Sequence, residues 1–237
     1  MKLKKLIPFL PVVLLIGAGL SSCLKGDEYK PRSYSYFTVR KTSTTSSGIV
    51  LIQDMTGYKF IPSATSVKEL GGLTNVERAF LEFTYQDGQS FTEGTTEFHI
   101  DLVNYGNSFA IATKDFCQQP DTLANDSLSE FSNIWAFGGY VNTVVGAYVS
   151  DRVYIDMVKE RIGGDTLYLH VNQNLDRSKK NYKAYKCLNS FRLPGAGELA
   201  AEGIQPVRDS IVIAVSGTVG VYNGTETRYQ YTKYKFE

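Results

Sequence analysis

The chain has 237 residues, with 25 basic and 24 acidic side chains and a formal net charge of +1 at pH 7. A charge balance this close to zero creates no broad positive field, which argues against a nucleic-acid partner. Aromatic residues make up 13% of the chain, and tyrosine leads them with 16 copies. Because aromatic side chains are enriched in strands and helical periodicity is scarce, the composition predicts an all-β protein.

The N-terminus has the pattern of a secretory signal peptide. Three lysines precede an apolar run at residues 6–20, and small residues follow before Cys23. The run is 15 residues long, whereas a membrane-spanning helix needs about 20. The sequence Leu-Ser-Ser-Cys23 is typical of a bacterial lipobox, so we predict removal of residues 1–22 and acylation of Cys23. Secretion without lipidation is the alternative.

Acylation of Cys23 predicts that the membrane is a partner through the lipid anchor. Each buried methylene contributes about 0.8 kcal/mol, so two or three acyl chains hold a protein on a bilayer durably. Residues 23–33 form a polar tether in which Lys25 precedes Asp27 and Glu28. This order resembles the export signal of Bacteroidetes surface lipoproteins, although one glycine is inserted. The resemblance implies attachment to the outer membrane and exposure at the cell surface.

The next part of the chain, residues 34–113, predicts a small barrel. About six short runs alternate between apolar and polar residues and are separated by turn signals. They are residues 34–40, 49–53, 58–61, 76–85, 95–103 and 108–113. One helical turn is expected within residues 66–73, ended by Gly71 and Gly72. This number of strands is typical of a small Greek-key barrel such as an OB-fold.

The rest of the chain predicts a second β-domain. Residues 114–130 are polar, and we expect them to form the connection between domains. Longer strand-like runs follow at residues 134–149, 152–158, 165–172, 182–193, 210–215 and 229–236. Six or seven such strands favour an antiparallel β-sandwich over residues 131–237. The predicted fold class is therefore all-β, with an OB-like barrel followed by a β-sandwich.

Removal of the signal peptide changes both the charge and the number of cysteines to be explained. Residues 1–22 contain three lysines and no acidic residue, so the mature chain has 215 residues, 22 basic and 24 acidic side chains, and a net charge of −2. Once Cys23 is acylated, Cys117 and Cys187 remain. In an oxidising compartment they could pair, or Cys187 could be a buried free thiol in a strand. The sequence leaves both possibilities open.

No residue pattern indicates catalysis or a cofactor. His99 lies between Glu97 and Asp101, but residues two apart on a strand are about 6.8 Å apart and form a flat row that does not converge on a metal ion. We therefore expect a solvated strand face and no metal there. Nucleophile-elbow, zinc-protease, Cys-x-x-Cys and phosphate-loop motifs are missing from the sequence. We predict that the protein is not an enzyme.

Two groups of residues are candidates for binding. Tyr168, His170 and Asn172 share one strand face and could line a small binding surface, although an ordinary exposed sheet face is the expected alternative. Tyr34 and Tyr36 share a face of the first barrel strand, where OB-folds use aromatic rings to stack sugars or bases. Simple packing of this tyrosine pair is the alternative.

A third candidate is a cluster of basic residues around the predicted loop at residues 173–181. Its members are Arg177, Lys179, Lys180, Lys183 and Lys186. Such a cluster could contact an anionic glycan or a lipid headgroup. However, Lys183 and Lys186 would point to opposite faces of a strand because their spacing is odd. We therefore expect a solvated basic loop.

Six features together resemble the NigD-like lipoproteins of Bacteroidetes. They are the lipobox ending at Cys23, the barrel-like run of the N-terminal half, residues 76–80, the Ile134-Trp135 to Tyr140-Val141 stretch, residues 168–172 and residues 209–213. The resemblance covers nearly the whole mature chain and implies an N-terminal OB-like domain and a C-terminal β-sandwich. No biochemical activity is established for the family, so no functional residue is carried over.

These observations predict a lipid-anchored envelope protein with a non-catalytic binding or interaction role and an unknown ligand. One alternative is a carbohydrate-binding accessory of a surface glycan-uptake system, which an exposed aromatic platform on the sandwich would favour. Another is a bacteriocin-immunity or inhibitor protein, which a contiguous exposed apolar patch would favour because it needs a protein partner.

Replacing Cys23 by alanine should release the protein from membranes, since the acyl chains supply the attachment energy. Membrane fractionation with a labelled fatty acid measures both attachment and acylation. A Cys23→Ala chain that still sediments with membranes, without the label, would contradict the predicted anchor.

Overall fold

The strands of the protein form three sheets, with side chains alternating between their two faces. The computed structural model describes residues 30–236 apart from residues 74, 90, 104–109, 119–125, 151–153 and 176. The predicted signal peptide and Cys23 lie outside the described residues. The all-β prediction is confirmed, with a closed five-stranded barrel followed by two further sheets.

The barrel is formed by the first five strands. They are β1 (Ser33–Lys41), β2 (Ile49–Gln53), β3 (Lys59–Pro62), β4 (Arg78–Tyr85) and β5 (Glu97–Leu102). Neighbouring strands pair in the order β1-β2-β3-β5-β4, and the barrel closes. Three phenylalanines, Phe37, Phe60 and Phe83, meet edge-on inside it with ring centroids 5.3–5.8 Å apart. This aromatic core fills the barrel, as expected for a small closed sheet.

A short helix, α1 (Ala64–Glu69), follows β3. The Ser63 side chain caps it by accepting a hydrogen bond from the Ser66 backbone N–H at 3.3 Å. Gly71 and Gly72 then follow with φ of 78° and 88°, a left-handed conformation that ends a helix. The predicted helical turn therefore lies here, starting slightly earlier than expected.

The remaining elements build the sandwich. They are β6 (Thr113–Lys114), β7 (Cys117–Gln118), β8 (Glu130–Phe137), β9 (Tyr140–Val149), β10 (Tyr154–Gly163), β11 (Thr166–Asn174), β12 (Lys183–Arg192), α2 (Ala196–Ala201), β13 (Ser210–Val221) and β14 (Gly224–Lys235). The five-stranded sheet has the order β14-β13-β11-β10-β7, and the four-stranded sheet has the order β6-β12-β9-β8. No described helix is long and apolar enough to span a membrane.

The sandwich core lies between these two sheets. Leu167, Leu169 and Val171 of β11 are buried in it, as the alternation of that strand predicts. The expectation of a purely antiparallel sandwich needs correction, because β11 and β13 pair in parallel. After β11 the chain crosses to the other sheet to form β12 and then returns, so β13 runs in the same direction as β11.

The segment predicted as a connection, residues 114–130, packs on the sandwich where it is described. β6 pairs with β12 and β7 pairs with β10, while Leu128 is fully buried and bridges to Val219. Thr113, expected to close the barrel, instead opens β6. Residues from Tyr34 to Glu237 form one compact unit. The exact domain boundaries remain a prediction.

The two described cysteines are both free. Cys117 lies on β7 of the five-stranded sheet, and Cys187 lies on β12 of the four-stranded sheet. Burial raises the pKa of both thiols, which keeps them protonated and unreactive at neutral pH.

A buried arginine joins the barrel to the sandwich. Arg78 of β4 has no exposed surface. Its Nη1 donates to Asp54 Oδ1 at 2.7 Å and to Thr38 Oγ1 at 2.6 Å, both on the barrel. Its Nη2 donates to Asp54 Oδ2 at 2.5 Å and to Asn142 Oδ1 of β9 at 3.0 Å. The ion pair therefore has hydrogen-bond partners on the barrel and on the sandwich. We call the contact between these two parts the joint. We refer to these residues, together with Trp135 and Ser190, as the joint network.

The sandwich presents its half of the joint network from three adjacent strands. Trp135, Asn142 and Ser190 face one another across β8, β9 and β12. Trp135 Nε1 donates to Asp54 Oδ2 at 2.6 Å, and Ser190 Oγ donates to Asn142 Oδ1 at 2.8 Å. Gly138 allows the close approach, since a Cβ atom there would lie 2.6 Å from Thr38 Oγ1.

Removing the carboxylate of the joint network should destabilise the fold strongly. Asp54→Ala leaves the Arg78 charge buried without its counterion, so we expect the free energy of unfolding to fall by about 3–5 kcal/mol. Urea denaturation of the full chain measures this loss. Asp54→Asn, which keeps an acceptor for Trp135, should lose less.

The matched control is the exposed ion pair between Glu77 and Arg192, whose atoms are 2.9 Å apart and whose side chains are each more than 40% exposed. Glu77→Ala should cost less than about 1 kcal/mol. Equal losses in Asp54→Ala and Glu77→Ala would contradict the structural role given to the buried pair.

Candidate functional site

A strip of four aromatic rings crosses from the barrel to the sandwich. Tyr34 and Tyr36 project from the outer face of β1, and Phe80 of β4 lies between them. The ring centroids are 6.1 Å apart for Tyr34 and Phe80 and 4.7 Å apart for Phe80 and Tyr36. Tyr36 then meets Trp135 of β8 at 5.1 Å. We call Tyr34, Phe80, Tyr36 and Trp135 the aromatic strip.

The aromatic strip is an exposed apolar surface at its barrel end and a buried one at its sandwich end. Phe80 is 42% exposed and Tyr34 is more exposed still, whereas Trp135 is buried. This difference in exposure follows from the outer face of β4, which carries both Arg78 and Phe80. The sandwich covers Arg78 but does not cover Phe80, two residues later. The strip therefore continues from open surface into the joint.

A cavity of about 260 Å³ opens beside the buried end of the strip. Tyr36, Trp135 and Met55 form its apolar wall, and Ser35, Gln53 and Thr56 form its rim. The volume is at the small end of the range for ligand pockets. It matches a single side chain or a small ring better than a whole cofactor.

The polar rim of the cavity is occupied by its own hydrogen bonds. Gln53 Nε2 donates to Ser35 Oγ at 2.9 Å, and Thr56 Oγ1 donates to Gln53 Oε1 at 2.7 Å. Asp54, below the rim, accepts from Arg78 and Trp135. Asn133 is one further polar residue of the lining, and it is exposed. The rest of the surface inside the cavity is mostly apolar, so an entering group meets mainly apolar contact.

Met55 stands at the mouth of this cavity in a strained conformation. It lies in the turn between β2 and β3 with φ of 72°, a left-handed backbone that costs a bulky residue about 1–3 kcal/mol. Its side chain is 73% exposed, so burial does not compensate for the strain. Strain of this kind is concentrated at functional sites, and methionine adapts well to apolar partners.

The joint network holds the cavity wall rigid. Trp135 is fixed through its indole N–H on Asp54, and Asp54 is fixed by Arg78. An aromatic wall that is already positioned loses little conformational freedom when a partner binds. The arrangement therefore suits recognition of a rigid apolar group.

The predicted histidine row on β5 lies on an exposed face of the barrel. His99 and Glu97 are both exposed, and the His99 backbone N–H donates to Gln89 Oε1 at 2.7 Å. Among the residues that the structure describes, no three His, Cys, Asp or Glu side chains are grouped so that they could hold a metal ion.

The predicted basic cluster is divided between separate acidic partners. Arg177 Nη2 lies 2.5 Å from Asp126 Oδ1, and Lys186 Nζ lies 3.4 Å from Glu130 Oε2. These pairs tie the two cations to different segments of the sandwich. The observation favours local ion pairing over a single basic patch.

The face of β11 that carries Tyr168, His170 and Asn172 is less exposed than expected. Asn172 is buried and His170 is half-buried, with His170 Nδ1 2.7 Å from Ser216 Oγ of β13. Desolvation lowers the pKa of His170, and Glu160 nearby opposes this shift. The reason for the burial is the position of β11 in the middle of its sheet.

Sequence reasoning identified Tyr34 and Tyr36 but missed their partners. Phe80 and Met55 were not among the candidate residues. The one sequence feature that singles out Trp135 is that it is the only tryptophan of the chain. Its contacts with Asp54 and Tyr36 depend on how the two halves meet.

The lowered pKa of His170 predicts a pH dependence of stability. Below its ordinary pKa of 6.5, the unfolded chain binds a proton that the folded chain resists. The free energy of unfolding should therefore decrease as the pH falls below about 6.5, by up to about 1.4 kcal/mol per pH unit, and stay constant above it.

Urea denaturation between about pH 5 and 7.5 measures this dependence. The His170→Gln chain should lack the decrease in the free energy of unfolding that His170 causes at low pH. The His99→Gln chain, changed at an exposed position, should keep this decrease. A His170→Gln chain with the same pH profile as the unmodified chain would contradict the assignment.

Comparison with known proteins gives matches only among solved structures. No protein-family model and no curated protein matches the chain. A protein of Bacteroides fragilis assigned as a lipoprotein has a TM-score of 0.63 at 13% identity, covering 87% of this chain and 99% of that one. A Bacteroides vulgatus protein of unknown function has a TM-score of 0.56 at 14% identity, covering 84% and 90%.

A NigD-like immunity protein of Bacteroides caccae also matches, with a TM-score of 0.51 at 17% identity, covering 86% of this chain and 94% of that one. Likeness at such low identity shows a shared fold and carries no ligand or activity with it. The resemblance to NigD-like lipoproteins found in the sequence is thus confirmed at the level of the fold.

Proposed function

We propose that the chain is a lipid-anchored, non-catalytic binding protein of the outer membrane and cell surface. In this proposal the aromatic strip and its cavity receive an apolar side chain from a protein partner. The observation that carries the proposal is the exposed apolar surface of Tyr34 and Phe80, which Tyr36 connects to the cavity that the exposed Met55 also lines. Contiguous exposed apolar surface on a soluble domain marks interaction sites.

The chemistry of the cavity favours a protein side chain over a sugar. A sugar ring needs hydrogen-bond partners for several hydroxyl groups. The rim residues Gln53, Ser35 and Thr56 already bond to one another, which leaves Asn133 as one further polar side chain on a mostly apolar lining. A leucine or phenylalanine side chain needs no such partners and gains from contact with Trp135, Tyr36 and Met55. A rigid aromatic pocket surrounded by a polar rim is also the usual form of a protein-binding hot spot.

An immunity or inhibitor role agrees with this surface. The structurally similar protein from Bacteroides caccae is described as a NigD-like immunity protein, and that role requires binding to another protein. The lipobox at Cys23 and the similar Bacteroides fragilis protein assigned as a lipoprotein support the envelope location. The partner is defined only by its chemistry, an exposed apolar side chain on a protein surface.

Site-specific photo-crosslinking tests the proposal in intact cells. Phe80 is replaced by benzoylphenylalanine, which keeps an aromatic ring at the centre of the exposed part of the strip. We expect a single discrete protein adduct after irradiation. The same residue placed at Tyr185 on β12, which is 53% exposed and therefore no less accessible, serves as the control and should give no such adduct.

The captured protein is then purified, and its affinity for the full chain in detergent is measured by calorimetry. Phe80→Ser should raise Kd at least tenfold because it removes the central ring, whereas Tyr185→Ser should leave Kd within about twofold. Equal adducts from both positions, or an unchanged Kd for Phe80→Ser, would rule out the strip as the binding surface.

A further inference from the structure

One edge of the five-stranded sheet is long and unpaired. It is formed by β14, whose 12 residues all pair with β13 on one side. No described residue pairs with β14 on its other side. A strand at the edge of a sheet presents unpaired backbone N–H and C=O groups to any strand that can lie beside it. We call this side of β14 the open edge.

The other described sheet edges have features that discourage pairing. β6 and β7 are 2 residues long each, and β8 has a bulge between Phe131 and Asn133. The barrel is closed and therefore has no edge. By contrast, β14 contains no proline, and its register with β13 is unbroken from Gly224 to Lys235. Because short strands, bulges and prolines are the usual protections of a sheet edge, the open edge is the described edge best suited to pairing.

The hairpin between β13 and β14 determines which backbone groups face the open edge. Val221 and Gly224 pair directly across a two-residue loop, so they are a hydrogen-bonded pair, and such pairs recur at every second residue. The hydrogen bond from the Phe236 N–H to the Asp209 carbonyl has the same phase. Even-numbered residues of β14 therefore bond to β13. Odd-numbered residues direct their N–H and C=O groups outward, and no other described backbone group bonds to them.

The side chains of these odd-numbered residues form one exposed row. Tyr229 and Tyr231 are its centre, with exposures of 56% and 66%. Two exposed threonines precede them and two exposed lysines follow them on the same face, namely Thr225, Thr227, Lys233 and Lys235. The row thus has threonines at one end, tyrosines in the middle and lysines at the other end.

A second copy of the chain fits this row, because antiparallel pairing reverses its order. With a twofold axis at Gln230, Tyr229 of each copy lies opposite Tyr231 of the other, and the threonines of each copy lie opposite the lysines of the other. Each of these pairs joins two outward-directed backbones, so both hydrogen bonds of the pair can form. On the opposite face, Arg228 lies opposite Thr232. Aromatic cross-strand pairs stabilise a sheet, and no like charges are directly opposed.

We propose that the open edge pairs with the open edge of a second copy, which joins the two five-stranded sheets into one continuous sheet. The dimer is isologous, with Gln230 on its twofold axis. The lipid anchor predicted at Cys23 confines both copies to one surface, which raises their effective concentration. This interface lies on the sandwich and does not depend on the protein partner proposed for the aromatic strip.

Sedimentation equilibrium of the full chain in density-matched detergent tests the dimer, with micelles in large excess so that chains do not share a micelle by chance. We expect the mass to rise from one chain to two with protein concentration. The double variant Tyr229→Lys with Tyr231→Lys places lysines opposite each other and should raise the dimer Kd at least tenfold. Tyr229→Glu with Tyr231→Lys places unlike charges opposite each other and should keep Kd within about threefold.

Disulfide trapping in intact cells tests the register. Gln230→Cys brings two cysteines to the twofold axis, where the Cα atoms of a non-hydrogen-bonded pair are about 4.5 Å apart, within disulfide range. Arg228→Cys is the matched control, because four residues along the strand separate its Cα atom from its counterpart by about 14 Å. Under mild oxidation we expect a dimer band for Gln230→Cys and none for Arg228→Cys.

Changes elsewhere on the surface separate this edge from other contacts. Tyr185→Lys alters a 53% exposed ring on the other sheet, and Phe80→Ser alters the aromatic strip. Both should leave the dimer Kd within about twofold. A chain that sediments as a monomer at every concentration would overturn the proposal. So would equal Kd values for the two double variants, or the absence of a band specific to Gln230→Cys.

Discussion

The buried ion pair between Arg78 and Asp54 is the interaction on which the arrangement of this molecule depends. Taking two charges out of water costs several kcal/mol for each ion, and the attraction between them offsets this only when the geometry and the remaining hydrogen bonds are good. The barrel supplies Thr38 as an additional acceptor, and the sandwich supplies Asn142 and the indole of Trp135. Arg78 Nε is buried without a hydrogen-bond partner, but the other two nitrogens of the guanidinium are bonded. The pair gains its sandwich-side hydrogen bonds only when the two halves are in contact, which makes it a specific determinant of their joint.

The candidate site forms where the barrel and the sandwich meet. The cavity beside Trp135 exists because β8 of the sandwich meets the β2–β3 turn of the barrel, and Asp54 of that turn orients the indole. The strained Met55 is the next residue after Asp54, so the position that anchors the turn also places an exposed apolar side chain at the cavity mouth. Asp54, which supports the joint, and Met55, which belongs to the candidate binding surface, are thus consecutive residues.

Much of the fold could be predicted from local patterns. The alternation in β11 correctly places Leu167, Leu169 and Val171 in the core, and Gly71 and Gly72 correctly mark the end of α1. Alternation does not specify the direction in which strands pair, so the parallel pairing of β11 and β13 was missed. The short strands β6 and β7 were missed because two residues carry no periodic signal.

The candidate site could be predicted only in part, because its residues come from distant segments. Tyr34 and Tyr36 share a strand face and were recognisable from spacing alone. Phe80 and Trp135 join them through contacts between different strands, which one sequence does not encode locally.

The long separation in sequence between the partners of Arg78 has a consequence for the order of folding. Thr38 and Asp54 lie 40 and 24 residues from Arg78, but Asn142 lies 64 residues beyond it. Contacts between residues far apart in the chain form late, because a large loop must close first. The guanidinium reaches its fully buried state only when the barrel and the strands β8, β9 and β12 are all in place. We therefore expect its desolvation to coincide with formation of the contact between the barrel and the sandwich.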